Sequence, residues 1–160
     1  MAGPTLSHQI AFVTGAGSGL GAAIARRLAA EGARVVVNDL DASAAEVVAK
    51  EVEGEVAVFD VASSTAFDAA VGSAVERHGR LDVMVNNAGI VTDRPEVLER
   101  LMAAQMAAMS GQEPEPVRCF STLTDEQFDR MLKTHVYGTF NGMRAALRHM
   151  EVARSGAIVN

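Results

Sequence analysis

The sequence predicts an α/β fold: a doubly wound parallel sheet with helices on both faces. Three observations predict it. Short Val-, Ile- and Ala-rich runs alternate with longer segments of helical periodicity. Several of those runs are apolar throughout, as strands covered on both faces are. A glycine-rich stretch separates the first run from the first helical segment, where such a sheet makes its ligand-facing turn. Right-handed crossovers then wind the chain over both faces. One domain covering residues 1–160 is expected from that length and from a composition that is 49% hydrophobic.

Taken in order, Ile10 to Thr14 is the first strand. Leu20 to Glu31 is a helix with Leu20, Ile24 and Leu28 at helical spacing, stopped by Gly32. Arg34 to Asn38 is a β-branched second strand. Asp41 is placed to cap a helix running to about Val52. Glu55 to Phe59 is the third strand. Ser63 or Ser64 opens a helix with Phe67, Val71 and Val75 on one face, ended by Gly79. Leu81 to Val85 is the fourth strand.

The rhythm then changes. A long connection, an insertion over about residues 92–122, begins with an amphipathic helix from Glu96 to Met109. It carries Leu98, Leu101, Met102, Met106 and Met109, and Ser110-Gly111 closes it. The methionines either line a substrate pocket or lid, or pack the helix on the domain edge. Pro114 and Pro116 keep the next stretch out of helix. Thr124 and Gln127 fit a capping box, and one long helix is expected from there to about Met150. Ser155-Gly156 is a turn, and Ala157 to Asn160 opens a fifth strand where the sequence stops.

Composition excludes several classes. The net charge is −6, with two lysines and no basic run, which argues against nucleic-acid binding. The single Cys119 permits no internal disulfide and no metal cluster. No apolar run reaches membrane-spanning length, and Met1-Ala2-Gly3-Pro4 does not resemble a signal peptide. The expectation is a reduced, cytoplasmic protein without membrane or metal. His8, His78 and His149 show no metal spacing and read as surface residues.

The chemistry lies in Thr14-Gly15-Ala16-Gly17-Ser18-Gly19-Leu20-Gly21. Glycines between a strand and a helix allow a tight turn and a close backbone approach to a pyrophosphate. The helix N-terminus then offers N–H groups and a positive dipole end to that anion. Asp39 ends the second strand, twenty residues beyond Gly19, where a carboxylate accepts from the adenosine ribose hydroxyls. A 2′-phosphate beside that carboxylate would be repelled. No basic residue lies in the turn, and Leu40 follows the acid. The cofactor expected is therefore NAD. No Lys-Ser/Thr follows the glycines, so the turn is not a P-loop.

At this point the chain resembles the short-chain dehydrogenase/reductase family, whose fold is the Rossmann fold. Thr14-Gly-x-x-x-Gly-x-Gly21 is similar to the family's glycine turn. Asp60-Val61 resembles its adenine-contacting acid, Asn86-Asn87-Ala88-Gly89 its Asn-Asn-Ala-Gly signature, and Gly156 to Asn160 the opening of its fifth strand. The resemblance implies cofactor contacts from Gly15, Gly17, Ser18, Gly19, Leu20, Gly21, Asp39, Leu40, Asp60, Val61, Asn87, Ala88 and Gly89. Asp60 has a second reading as a helix N-cap, but an adenine-amine acceptor is favoured at the C-terminal end of a parallel strand. The Asn87 amide is also expected to bond backbone between neighbouring strands.

Three departures follow. The family's Ser and Tyr-x-x-x-Lys do not occur within these residues: Tyr137, the one tyrosine, is followed four residues later by Asn141 and reads as structural. The chain is therefore expected to be a cofactor-binding portion, incomplete at its C-terminus. His135 stands where the family has a helix Asn that orients a water. An imidazole could do the same with added pH sensitivity, or His135 could be a packed helix residue. The third departure is the long connection. Thr134, Gly138 and Gly142 form a small-residue face on the long helix, which in the family often joins a subunit interface, so a homo-oligomer is expected. The leading expectation is an NAD(H)-dependent oxidoreductase interconverting an alcohol and a carbonyl on a small molecule by hydride transfer. The alternative is a non-catalytic NAD-binding or oligomerisation module.

Overall fold

The computed structural model describes residues 5–90 and 95–160. They form two compact units. The first comprises residues up to Gly89 and Lys133–Asn160, and the second Ile90–Leu132.

In the first unit, five strands form one sheet: β1 (Ile10–Val13), β2 (Arg34–Asp39), β3 (Glu55–Val58), β4 (Val83–Val85) and β5 (Ala157–Val159). All pairs are parallel, in the order β3-β2-β1-β4-β5. The helices are α1 (Gly19–Ala30), α2 (Ala42–Glu51), α3 (Ser64–His78) and α6 (Gly138–Ala153); α4 (Pro95–Met109) and α5 (Asp125–Leu132) belong to the second unit. This is the doubly wound α/β arrangement expected.

Alternation along β1 builds two cores. Ile10 and Phe12 point to one face and join Phe67, Val71, Ala74, Ala145, Ala146 and Met150 from α3 and α6. Ala11 and Val13 point to the other face and join Ala22, Ala25, Ala45, Val48 and Ala49 from α1 and α2. Both faces of the central strands are thus covered, which is why the runs are apolar without alternation. With few aromatics, one face gathers three: Phe59 lies edge-on to Phe67 at 5.0 Å between centroids, and Phe12 lies 6.1 Å from Phe67. The chain winds outward from β1 through β2 to β3, then returns to β4 on the other side of β1. The sheet order therefore reverses between β1 and β4, which opens a crevice at their C-terminal ends.

Several boundaries match their chemistry. Asp41 caps α2, its carboxylate accepting from the backbone N–H of Ser43 and Ala44. Ser63 caps α3, so Asp60 is not its cap. Gly79 ends α3 with φ +74°.

Other expectations are corrected. Leu20 is not on the core face of α1; it is 77% exposed, and the buried contacts come from Gly21, Ala22 and Ala25. Ile24 and Leu28 do pack against that core, partly buried. His78 is not a surface residue: its side chain is 10% exposed and its Nε2 lies 2.5 Å from Glu55 Oε1. The single long helix is interrupted: α5 ends at Leu132, a π-helical turn covers Lys133–Tyr137, and α6 starts at Gly138. Tyr137 is exposed and fills no core position. The small-residue face is consumed within the chain: Gly138 faces Val61, and Gly142 faces Asn86 and Phe67. These two glycines are turned inward, against neighbours of the same chain.

In the second unit, α4 buries only Val97, while Met102, Met106 and Met109 are exposed. Thr124 and Gln127 form the reciprocal capping box, with Thr124 N–H donating to Gln127 Oε1 and Gln127 N–H to Thr124 Oγ1. No helix among the described residues is long and apolar enough to cross a membrane.

Candidate functional site

Parallel strands all end at the same edge of the sheet. That edge carries Thr14 after β1, Asp39 at the end of β2, Asp60 after β3 and Asn87 after β4. Four segments scattered through the sequence are thereby brought to one rim.

The turn from β1 to α1 is fixed by its neighbours. Gly15 has φ +60°, and a Cβ there would stand 2.9 Å from Ala88 Cα, so no side chain fits. A Cβ on Gly21 would collide with the Gly15 carbonyl and stand 2.5 Å from Asn87 Nδ2. Gly17 donates its N–H to Asp39 Oδ2 at 2.9 Å. The other carboxylate oxygen, Oδ1, accepts from Asp41 N–H at 3.1 Å. Asp39 is thus aimed by backbone on both sides and sits against the glycine turn.

The start of α1 differs from the starts of α2 and α3. Ser18 occupies its N-cap position in extended conformation but makes no side-chain cap bond. The first N–H groups of a helix have no intrahelical partner. A Cβ on Gly19 would meet nothing within 4 Å, so space is open beside them. Ser18, Gly19 and Leu20 are exposed, and so is Leu40 at 67%. Open space at a helix N-terminus, an oriented carboxylate and two uncovered leucines fit a dinucleotide: anion at the helix, ribose at Asp39, apolar cover at the leucines.

On the β4 side, the Asn87 amide donates to the carbonyls of Thr14 and Gly15 at 2.9 and 3.1 Å. The Thr14 hydroxyl accepts from the N–H of Asn87 and of Ala88, both at 3.0 Å. Asp60 is exposed, and its Oδ1 accepts from Ala62 N–H. Val61 is 6% exposed with its side chain against Gly138, so only its backbone remains for a ligand. Gly89 faces the His135 ring.

Sequence reasoning missed three polar residues that hold this rim. Thr14 is 2% exposed and joins β1 to the segment after β4. Asn141 is 5% exposed and donates to the Val61 carbonyl at 3.0 Å, tying α6 to the loop after β3. Asn38 is 1% exposed and donates to the carbonyls of Ala57 and Phe59. The available signal was a polar residue inside an apolar run: such a residue is buried only with hydrogen-bond partners.

Among the described residues no group of His, Cys, Asp and Glu could hold a metal ion. The family model for short chain dehydrogenase matches residues 9–160. The chain belongs to the short-chain dehydrogenase family. Members of this family generally bind NAD(P). An uncharacterized oxidoreductase of Mycobacterium bovis is 40% identical over 159 residues, 97% of this chain and 55% of the relative. The 2-(R)-hydroxypropyl-CoM dehydrogenase of Xanthobacter autotrophicus is 36% identical over 95% of this chain and 55% of the relative. Among solved structures, ribose-5-phosphate isomerase from Brucella melitensis aligns at TM-score 0.77 and 31% identity, over 99% of this chain and 53% of that one. The chain spans about half the length of these curated relatives.

Proposed function

We propose that the chain supplies the NAD(H) site of a short-chain dehydrogenase that interconverts an alcohol and a carbonyl on a small molecule. The observation that carries this is Asp39, a carboxylate aimed by Gly17 and Asp41 at the rim beside the glycine turn. Gly15 to Gly21 would hold the pyrophosphate and Asp39 the adenosine ribose. Leu20 and Leu40 would cover the nucleotide's apolar surface. Asp60 and the Val61 backbone would take the adenine, and Asn87, Ala88 and Gly89 would line the remainder. When bound, NAD(H) supplies the hydride chemistry.

The same carboxylate supports NAD over NADP. A 2′-phosphate would lie against a negative group, and the turn contains no Arg or Lys to neutralise it. The names of the relatives, an oxidoreductase and a dehydrogenase, support an enzyme over a binding module. His135 holds a water at the rim in place of the family's helix Asn, and the segment 92–122 is an insertion in one domain. Cytoplasmic location and a homo-oligomer complete the reading; its interface would use a surface other than the Gly138–Gly142 face.

The reading is tested in the full-length protein by NAD reduction with secondary alcohols. Turnover that falls in His135→Ala supports it. Turnover with no nicotinamide nucleotide, or none with any alcohol or carbonyl, counts against it.

A further inference from the structure

His135 lies in the π-helical turn Lys133–Tyr137. Such a turn carries an extra residue relative to an α-helix, and it changes where the side chains within it point. Downstream the turn is pinned by Gly138, which is buried against Val61. Opposite it stands Gly89. A Cβ on Gly89 would lie 2.6 Å from His135 Cε1, 3.1 Å from Nδ1 and 3.5 Å from Nε2. The ring edge that carries both nitrogens therefore faces the Gly89 backbone, so close that a Cβ there would force the ring to move. Gly89 in turn follows Asn87 and Ala88, whose backbone N–H groups are fixed by the Thr14 hydroxyl.

We propose that Gly89 is a positioning residue: its missing side chain seats the His135 imidazole at the rim, where the ring registers a dinucleotide lying along Asn87–Gly89. Gly89 has φ outside the left-handed region, so backbone conformation alone does not demand glycine there. The demand comes from the ring. The dinucleotide part of this inference rests on the nucleotide reading above; the seating of the ring does not.

The test follows the His135 ring resonances by NMR in the full protein, assigned with His135→Asn, during NADH titration. The expected result is a His135 shift that saturates with NADH occupancy in the wild type and shrinks in Gly89→Ala, while His149 stays in place. NADH binding with no His135 shift overturns the proposal and leaves the nucleotide reading standing. Absence of NADH binding sinks the nucleotide reading instead. The seating is then judged by melting temperature alone. Gly89→Ala should lower it in the His135 background and lower it much less in His135→Ala. An equal loss in both backgrounds overturns the seating.

Discussion

Thr14 and Asn87 hold each other twice. The Asn87 N–H donates to the Thr14 hydroxyl at 3.0 Å, and the Asn87 amide donates to the Thr14 carbonyl at 2.9 Å. Neither contact belongs to the sheet ladder, yet together they close the crevice floor between β1 and β4. Thr14→Val keeps the shape and removes the acceptor shared by two N–H groups. The expected cost is about 1–3 kcal/mol for each donor left buried without a partner. Asn87→Ala should be of similar size, and the double variant should cost less than the sum of the two. Strict additivity in urea denaturation would mean the two residues act separately.

In the proposed site Asp39 meets the adenosine ribose, so its removal should act on binding more than on folding. A hydrogen bond to a charged group contributes about 1.5–3 kcal/mol, so Asp39→Ala should weaken NADH binding by roughly 10- to 100-fold. NADPH binding should be unchanged or improved, because the repelling charge is gone. Fluorescence titration of both nucleotides measures this. Equal weakening of both would show that Asp39 only braces the turn.

Acid should weaken the fold through Asp82. Burial pushes this carboxyl up, but the Arg80 guanidinium and the Ile10 N–H at 2.8 Å outweigh it and hold it below the usual carboxylate range. A carboxyl lowered on folding contributes stability that is complete above its unfolded value. That contribution is lost as pH falls from there through the lower folded value. Glu55 follows the same sign: burial raises it, and Arg77 and His78 lower it further than burial raises it. Asp82→Asn should therefore lose less stability than the wild type between neutral and about pH 3. An unchanged pH slope in the variant would assign the acid sensitivity elsewhere.

The aromatic cluster gives a prediction for the core. Phe67 is fully buried between Phe12 and Phe59. Phe67→Ala should cost about 3–5 kcal/mol. A loss under 1 kcal/mol would contradict the burial of Phe67, since only exposed sites usually cost so little.

Most of the sheet was legible because its signals are local. The apolar runs, Asp41 as a cap, Ser63 or Ser64 as the start of α3, and Gly79 as a stop each follow from a few neighbouring residues. The glycine turn and Asp39 were legible as a pair because strand and helix lengths fix their spacing. Long-range contacts were not legible. Nothing adjacent to His78 reveals Glu55 beside it, and nothing in Gly138 or Gly142 says that their small faces meet Val61 and Asn86. The π-turn escaped too: its residues have ordinary helical propensity, and no local signal marks the extra residue it carries. In α4, helical periodicity foretold a helix, but not that its methionines would stay exposed.

The central claim is that the rim around Asp39 takes NAD(H) in preference to NADP(H). Calorimetric titration of the protein with each nucleotide tests it directly. The account predicts saturable NADH binding at least ~10-fold tighter than NADPH binding, about 1.4 kcal/mol in free energy. Equal or tighter binding of NADPH would contradict it.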